Sequence, residues 1–430
     1  MNEKLLHYIW QFQLFNKTNL QTIEHQDLKI VHPGNHNENQ GPDFLNAKIK
    51  VEETIWAGSV EIHINSSDWR LHRHSEDENY NNVVLHVVWN HDQNLQLPFP
   101  TLVLQSLVPK VLLEKYMTLM SNSIFIPCEK NINSINNIVI EKWKERILME
   151  RLQEKTIYIE SLLKKSNSNW DEVCWWMLAR NFGGKINGDQ FEQMAQSLPF
   201  KILLKHKDSL LQIESMIFGQ AGLLKKDFID AYPKELQKEF SFLKKKYNFK
   251  QPKISVHFLR MRPANFPTIR LAQLSHYLHL HGKIISKIIE EKDIKMISNS
   301  FKVVTSDYWN QHYLFDEPSV IKVKKTGQQT INNFLINSVV VLLYAYGYYN
   351  NIEQLKTKAI NWLEKIPAEE NVISNEFVNL GLINKSAYDS QALIHLKNRY
   401  CNNKKCLECA IGNAIFKKES LLELQPVISC

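Results

Sequence analysis

Apolar residues recur at alternate positions from Phe44 to Val51 (Phe44, Leu45, Ala47, Ile49, Val51). A second such stretch runs from Ile55 to Ile64 after the short break Glu52-Glu53-Thr54. Alternation sends successive side chains to opposite faces of a pleated strand, so the two stretches predict a hairpin. Gly58 inside the second one predicts a bulge. Leu28 to His32 predicts an earlier strand, stopped by Pro33-Gly34 and followed by a polar loop at 36–41. Val83 to Trp89 is a continuous apolar run suited to a buried strand, and Leu102 to Leu104 predicts one more. Residues 4–15 carry apolar positions at helical spacing. Ser66-Ser67-Asp68 predicts a capped helix running on through DWRLHRHSEDENYNN.

After Pro127 the pattern changes to long helical periods, among them Ile135 to Lys165, Trp170 to Asn181, Leu203 to Gly222, Lys234 to Tyr247, Thr268 to His281 and Thr330 to Tyr346. The predicted fold class is therefore α+β: an αβββαβ module over residues 1–127, then a mainly helical region over 128–430. A sub-boundary falls near 250, where QPKISVHF interrupts the helical run. The apolar stretch Ser338 to Tyr349 is too short to span a bilayer, and the N-terminus lacks the layout of a signal peptide. The expectation is a cytoplasmic protein without membrane contact.

Charge divides along the same line. The chain of 430 residues has a net charge of +7, yet residues 1–127 hold 9 Lys+Arg against 14 Asp+Glu, so the excess positive charge lies in 128–430. Nine of the 16 His precede residue 92. An acidic, His-rich first part suits a metal site, and a basic second part suits a polyanion such as nucleic acid. Lysines that merely solvate helix faces would give the same balance.

The first part also holds the densest chemistry. Gly41-Pro42-Asp43-Phe44 opens one predicted strand, and Val60-Glu61-Ile62-His63 lies in the next. Residues two apart in a strand share a face, so Glu61 and His63 project together, and the hairpin brings Asp43 beside them. Two carboxylates and an imidazole on one sheet face suit a divalent ion, Mg²⁺ or Mn²⁺, with Asp43 and Glu61 as ligands and His63 positioning or deprotonating water. Glu38 and Gln40 can add a ligand across the loop. An exposed polar strand face beside a Pro-Asp turn is the plainer alternative. The order helix, three strands, helix, strand, with an acidic residue in the second strand and an acid-x-base triplet in the third, makes residues 1–105 similar to the restriction-endonuclease-like PD-(D/E)xK nuclease superfamily. That resemblance implies metal-dependent phosphodiester hydrolysis on nucleic acid, with His63 where the superfamily usually has Lys. A catalytically inactive nuclease fold that binds nucleic acid or acts as a scaffold is the alternative, since Lys is a permanent cation and His is not.

Three further constellations stand out. His72, His74, Asp77 and His86 suggest a zinc-dependent hydrolase, although residues two apart diverge on a continuous helix, which leaves one of His72 and His74 to face the sheet surface of His63. Cys401-x4-Cys406-x2-Cys409 has spacing suited to Zn²⁺ or an iron–sulfur cluster, with Cys430 as the fourth ligand and Cys128, Cys174 or His395 as alternatives. Buried reduced cysteines in helical packing are the other reading. Arg260, Arg262 and Arg270, around the Pro263–Pro267 loop that leads into a helix, suit phosphate groups; an ordinary helix entry capped by Asn265 or Thr268 does as well. Asn181–Lys185 lacks a full phosphate-loop pattern, and no GxSxG, HExxH or dinucleotide fingerprint occurs. As a whole the chain resembles an uncharacterised bacterial family, the domain of unknown function numbered 2851. The resemblance is carried by GPDF at 41–44, GSVEIHINSSDWRLHRH at 58–74, LHVVWNHD at 85–92, RPANFPTIRLAQL at 262–274 and the cysteines at 401–409.

Overall fold

The computed structural model describes residues 1–37, 40–121, 125–259 and 261–423. Two compact units emerge: residues 1–143 with 396–430, and residues 144–395.

The first unit is organised on a mixed sheet. Helix α1 (Glu3–Gln11) starts on Asn2, whose side chain accepts from the Leu5 N–H at 2.9 Å. It buries Leu6, Ile9 and Trp10, and the Trp10 indole donates to the Pro33 carbonyl at 2.9 Å. The strands are β1 (Leu28–His32), β2 (Asn35–His36), β3 (Phe44–Val51), β4 (Thr54–Asn65), β5 (Val83–Asn90) and β6 (Thr101–Val103). Spatial order is β1-β3-β4-β5-β6, with β2 paired to β3. The β1–β3 and β3–β4 pairs are antiparallel, and β4–β5 and β5–β6 are parallel. Helix α1 packs against β4.

β4 is the central strand. Its second half is buried on both faces, with Val60 and Ile62 on one side and Glu61 and His63 on the other. Two irregularities aim these side chains. In β3 the pairing slips between Phe44 and Ala47, where Asn46 takes a left-handed backbone conformation (φ 59°). Phe44 still pairs with Val60, so Asp43 comes level with Glu61. Bulges re-aim side chains in this way. The expected irregularity near Gly58 appears on the β4–β5 side, between Ser59 and Val60. A Cβ on Gly58 would lie 2.4 Å from the Asn82 carbonyl oxygen, so only glycine lets β4 approach the start of β5 there.

One predicted helix is corrected. Helix α2 covers only Asp68–Leu71, and two single 3₁₀ turns follow at His74–Glu76 and Glu78–Tyr80. Arg73 stops the helix by adopting φ 57°, ψ 33°. The Ser66 and Ser67 hydroxyls do not cap it; both donate to Asp92 at 2.9 and 2.7 Å. Trp69 instead pins the segment down, packed with Val83, Leu95 and Phe99.

The second unit is helical. Asn137–Lys165 leads into it. Trp170–Gln196 carries the predicted Trp170–Asn181 helix on across a break at Gly184 (φ 63°). The expected Leu203–Gly222 helix is two, Phe200–Lys205 and Leu210–Gln220. Gln328–Tyr349 is long and apolar enough to cross a membrane by length and composition, and 72% of its 18-residue apolar window is buried within the protein.

Candidate metal site on the sheet face

Glu61, at the middle of β4, is 5% exposed, and His63, two residues on, is 2% exposed. Their shared face meets four other segments. From the residue just before β3, the Asp43 N–H donates to Glu61 Oε2 at 3.1 Å, and Asp43 Oδ2 accepts from the Ile62 N–H at 2.9 Å. From α1, His7 Nε2 lies 3.3 Å from Asp43 Oδ2. From β5, His86 is the sheet partner of Glu61, and its Nε2 is 2.9 Å from His63 Nδ1. From the turn after α2, His74 brings its Nε2 to 3.3 Å from Glu61 Oε1 and 3.3 Å from His63 Nε2. His63 Nε2 and Glu61 Oε1 are 3.5 Å apart. Three donor atoms thus form a nearly equilateral triangle. The centre of such a triangle lies about 2 Å from each corner, the bond length of zinc to imidazole nitrogen or carboxylate oxygen. His72 joins the group: its ligand atom and those of His63 and His74 all lie within 4.8 Å of one another.

The expectation that His72 and His74 diverge is therefore overturned. It assumed a continuous helix; the left-handed Arg73 between them folds both rings back, with centroids 5.4 Å apart. Tyr80 stacks on His74 at 3.9 Å, and Trp69 meets its edge at 5.2 Å, so His74 is held between rings. His72 is exposed and opens the group to solvent.

Electrostatics sharpen the picture. Burial, with the Asp43 carboxylate next in weight and Glu3 behind it, pushes the Glu61 carboxyl up to about 9. Burial, and then the crowd of neighbouring imidazoles led by His86 and His74, pushes His63 down to about 2. His86 falls to about 3 for the same two reasons, and His74 is lowered by burial and by His72. With no cation among them these groups stay neutral: a protonated acid facing lone-pair nitrogens. A divalent cation reverses the balance, because it favours carboxylate over carboxyl and neutral over charged imidazole. If His63 donates from Nδ1 to His86, its Nε2 presents a lone pair to the centre, the arrangement in which the second nitrogen of a ligating histidine is held by hydrogen bonding.

The structure thus brings Asp43, Glu61 and His63 together. It adds both His74 and His72, of which the sequence placed one on the His63 surface, and His86, His7 and Glu3, which local patterning did not assign there. The signal for the imidazoles was the density of histidine before residue 92; the signal for Glu3 and His7 was their i, i+4 spacing on α1. Glu38, Arg260 and Cys430 lie outside the described residues. Arg262 and Arg270 belong to the second unit. Arg262 is exposed at the start of a 3₁₀ turn. The half-buried Arg270 guanidinium donates to Asn265 Oδ1 at 2.6 Å, Gln273 Oε1 at 3.0 Å and Thr330 Oγ1 at 3.1 Å, and burial lowers it to about 10. Neither Asn265 nor Thr268 caps the helix that follows, Pro267–Leu280: Asn265 holds Arg270, and the Thr268 hydroxyl donates to the Tyr313 carbonyl. Cys401, Cys406 and Cys409 lie in the first unit with Cys128. Cys174 and His395 lie in the second unit, where His395 Nε2 is 3.3 Å from Glu150 Oε1.

A family model described as a protein of unknown function, DUF2851, matches residues 3–372. No curated protein and no solved structure matches the chain.

Proposed function

The chain belongs to the DUF2851 family, whose description names no activity, so the reading has to come from the site, and we propose a metal-dependent hydrolase acting on phosphodiesters of nucleic acid. The observation that carries it is the triangle of Glu61 Oε1, His63 Nε2 and His74 Nε2, with edges of 3.3–3.5 Å. Two imidazoles and a carboxylate, with His72 alongside, suit Zn²⁺ or Mn²⁺ better than Mg²⁺, which prefers an all-oxygen octahedron. The bound ion would supply Lewis acidity and an activated water. Asp43, fixed by the Ile62 N–H and His7, stands next to that water's place as an orienting or proton-accepting carboxylate.

Two observations support nucleic acid as the substrate. The first helix, then strands β1, β3 and β4 in antiparallel succession, then β5 parallel to β4 after a helical crossover, support a likeness to the PD-(D/E)xK nuclease core. On that reading Asp43 and Glu61 would take that core's acidic positions. The excess positive charge of residues 128–430 suits a polyanion.

The test is cleavage of single- and double-stranded DNA and RNA by the purified chain with Mn²⁺, Zn²⁺ or Mg²⁺. Cleavage is expected with Mn²⁺ or Zn²⁺ and is expected to fall by about 10² or more in Asp43→Ala and His74→Ala. No cleavage of any polynucleotide, or cleavage indifferent to both substitutions, overturns the enzyme reading. A second reading rests on His63, a neutral group in the place of a permanent cation: a nuclease-like module that binds without cutting. Salt-dependent nucleic-acid binding without cleavage would select it. Cleavage of small esters alone by the zinc-loaded chain would move the substrate away from nucleic acid.

A further inference from the structure

The helical unit contains a cavity of about 550 Å³ that shares no residue with the Glu61–His63–His74 group. Two helix irregularities border it. Trp170–Gln196 breaks at Gly184 (φ 63°, ψ −157°), where an added Cβ would meet no atom within 4 Å. The helical run Gln328–Tyr349 widens into a π turn over Leu335–Val339. Such turns inside α-helices are rare and frequently mark functional sites. The Asn181 side chain ties the two together, donating to the Met177 carbonyl at 2.8 Å and to the Asn337 carbonyl at 3.2 Å. Phe182 and Phe334, buried and stacked with centroids 4.1 Å apart, give the cavity an apolar wall together with Ile336.

The rest of the lining is polar and carries charge of both signs. Arg270 is half-buried there. Three of the five N–H groups of its guanidinium are used, all on neutral oxygens: Asn265 Oδ1, Gln273 Oε1 and Thr330 Oγ1. Among the described residues it has no carboxylate partner. A cation partly withdrawn from water, with spare N–H groups and no counter-ion, suits an anion. Lys185, exposed just after the Gly184 break, is the second cation, and it makes no hydrogen bond or ion pair among the described residues. Two carboxylates line the cavity as well. Glu369 already accepts from Asn371 Nδ2 at 3.0 Å and from Gln391 Nε2 at 2.8 Å, and Glu370 is exposed. An inorganic anion gains nothing from them. A sugar does: a carboxylate accepts from its hydroxyls while cations take its phosphate. The carboxamides of Asn265, Gln329, Asn332 and Asn333, each able to donate and to accept, suit the same kind of molecule. The volume falls in the range of about 300–1,000 Å³ that small-molecule sites occupy.

We propose that this cavity binds a small phosphate ester that also bears hydroxyl groups, a nucleotide or a sugar phosphate, with Arg270 and Lys185 on the phosphate, Glu370 on the hydroxyls and the carboxamides on the remaining polar edges. Arg270 keeps its charge at neutral pH, since burial lowers it only to about 10. It separates here from Arg262, which does not line the cavity. All the lining residues belong to the helical unit and the binding needs no metal, so it holds whether or not the chain cleaves phosphodiesters.

The experiment is titration calorimetry of the full chain in phosphate-free buffer with a chelator present. The injected probes are the common ribonucleoside monophosphates, glucose phosphate, inorganic phosphate and citrate. The chelator strips any ion from the histidines, so failure of binding here and failure of cleavage are separate results. At least one ester is expected to bind about tenfold or more tightly than inorganic phosphate, and the nucleotide and glucose arms tell which kind the site takes. Arg270→Gln is expected to weaken that ester by about tenfold or more, and Lys185→Ala by about two- to fivefold. Arg270→Gln also cuts three internal hydrogen bonds. Gln329→Trp, a bulky ring on an exposed lining residue, covers the case in which that variant does not fold, and is expected to abolish binding. Failure of every ester to bind more tightly than inorganic phosphate overturns the proposal. So does ester binding indifferent to both Arg270→Gln and Gln329→Trp. Citrate that binds as tightly as the best ester would make the site one for carboxylates and overturns the phosphate assignment.

Discussion

Both units of the molecule bury ionisable groups, and they treat them in opposite ways. In the helical unit Lys144, 1% exposed, donates to Asp389 Oδ1 at 2.6 Å and to the Ile383 carbonyl at 3.3 Å, while Asp389 Oδ2 accepts from the Lys385 N–H at 2.9 Å. Glu214, 1% exposed, has both carboxyl oxygens occupied, by the Tyr232 hydroxyl at 2.6 Å and the Ser306 hydroxyl at 2.9 Å. Charge meets opposite charge or a donor. On the sheet face of the first unit, Glu61 meets another carboxylate and a set of imidazoles that burial keeps uncharged. Positive charge is what that group lacks. A polar network that closes on itself is architecture; one short of a cation is a receptacle.

The largest effect tests the closed network. Lys144→Ala leaves Asp389 buried without its ammonium partner, and a loss of about 3–5 kcal/mol in urea unfolding is expected. Replacing both partners with apolar residues, Lys144→Met with Asp389→Leu, is expected to cost much less, because no charge is then stranded. A loss below about 1 kcal/mol for Lys144→Ala would put the pair among weak surface bridges and remove one pole of the contrast.

A smaller effect tests the receptacle. Saturating Zn²⁺ or Mn²⁺, at about a hundred times its dissociation constant, is expected to raise unfolding stability by about 2.7 kcal/mol. The gain depends on pH. Between its ordinary value of 4.5 and about 9, Glu61 keeps in the folded state a proton that the unfolded chain has released, so metal-free stability falls as pH rises. His63 and His86 act in the other direction: below 6.5 the unfolded imidazoles take up protons that the folded ones refuse, so stability falls as pH falls. Glu61 therefore dominates between about pH 6.5 and 9. There the metal-free chain is expected to lose stability steadily in thermal melts, and Glu61→Gln to flatten the slope and abolish the stabilisation by metal. A Glu61→Gln chain that still gains stability from the ion would show that the cation sits elsewhere.

What local patterning could and could not reach follows from the range of the interactions. Asp43, Glu61 and His63 were legible because a hairpin and a two-residue period are local rules; β3 spans the expected Phe44–Val51. The bulge at Asn46 was not legible, since a left-handed asparagine leaves no mark on alternation. His74 was misassigned because Arg73 supplies the left-handed turn, a conformation more common for glycine or asparagine. His86 reads as an ordinary core residue until β5 is laid parallel to β4, and that pairing depends on a crossover. In the helical unit the long periods were legible, and so was the break at Gly184, since Gly183-Gly184 follows the end of the predicted Trp170–Asn181 helix; the break between Lys205 and Leu210 was not, because the apolar pattern runs on across it.

The smallest effect separates a ligand from the group that holds it. His86 is fully buried, with Trp69 at 5.4 Å and its Nε2 on His63 Nδ1 at 2.9 Å. It does not belong to the triangle of donors; it fixes how His63 is turned toward it. Removing such a supporting partner typically costs about 10–100-fold in metal affinity and leaves the ligand set intact. His86→Ala is therefore expected to weaken Zn²⁺ by that factor in competition with a chromophoric chelator, whereas His74→Ala is expected to abolish stoichiometric binding. The near-ultraviolet circular dichroism of the chain reports whether its aromatic packing is kept in both variants. Equal loss of metal in the two, with that signal unchanged, would make His86 a ligand in its own right and shift the centre of the site from the turn after β4 toward β5.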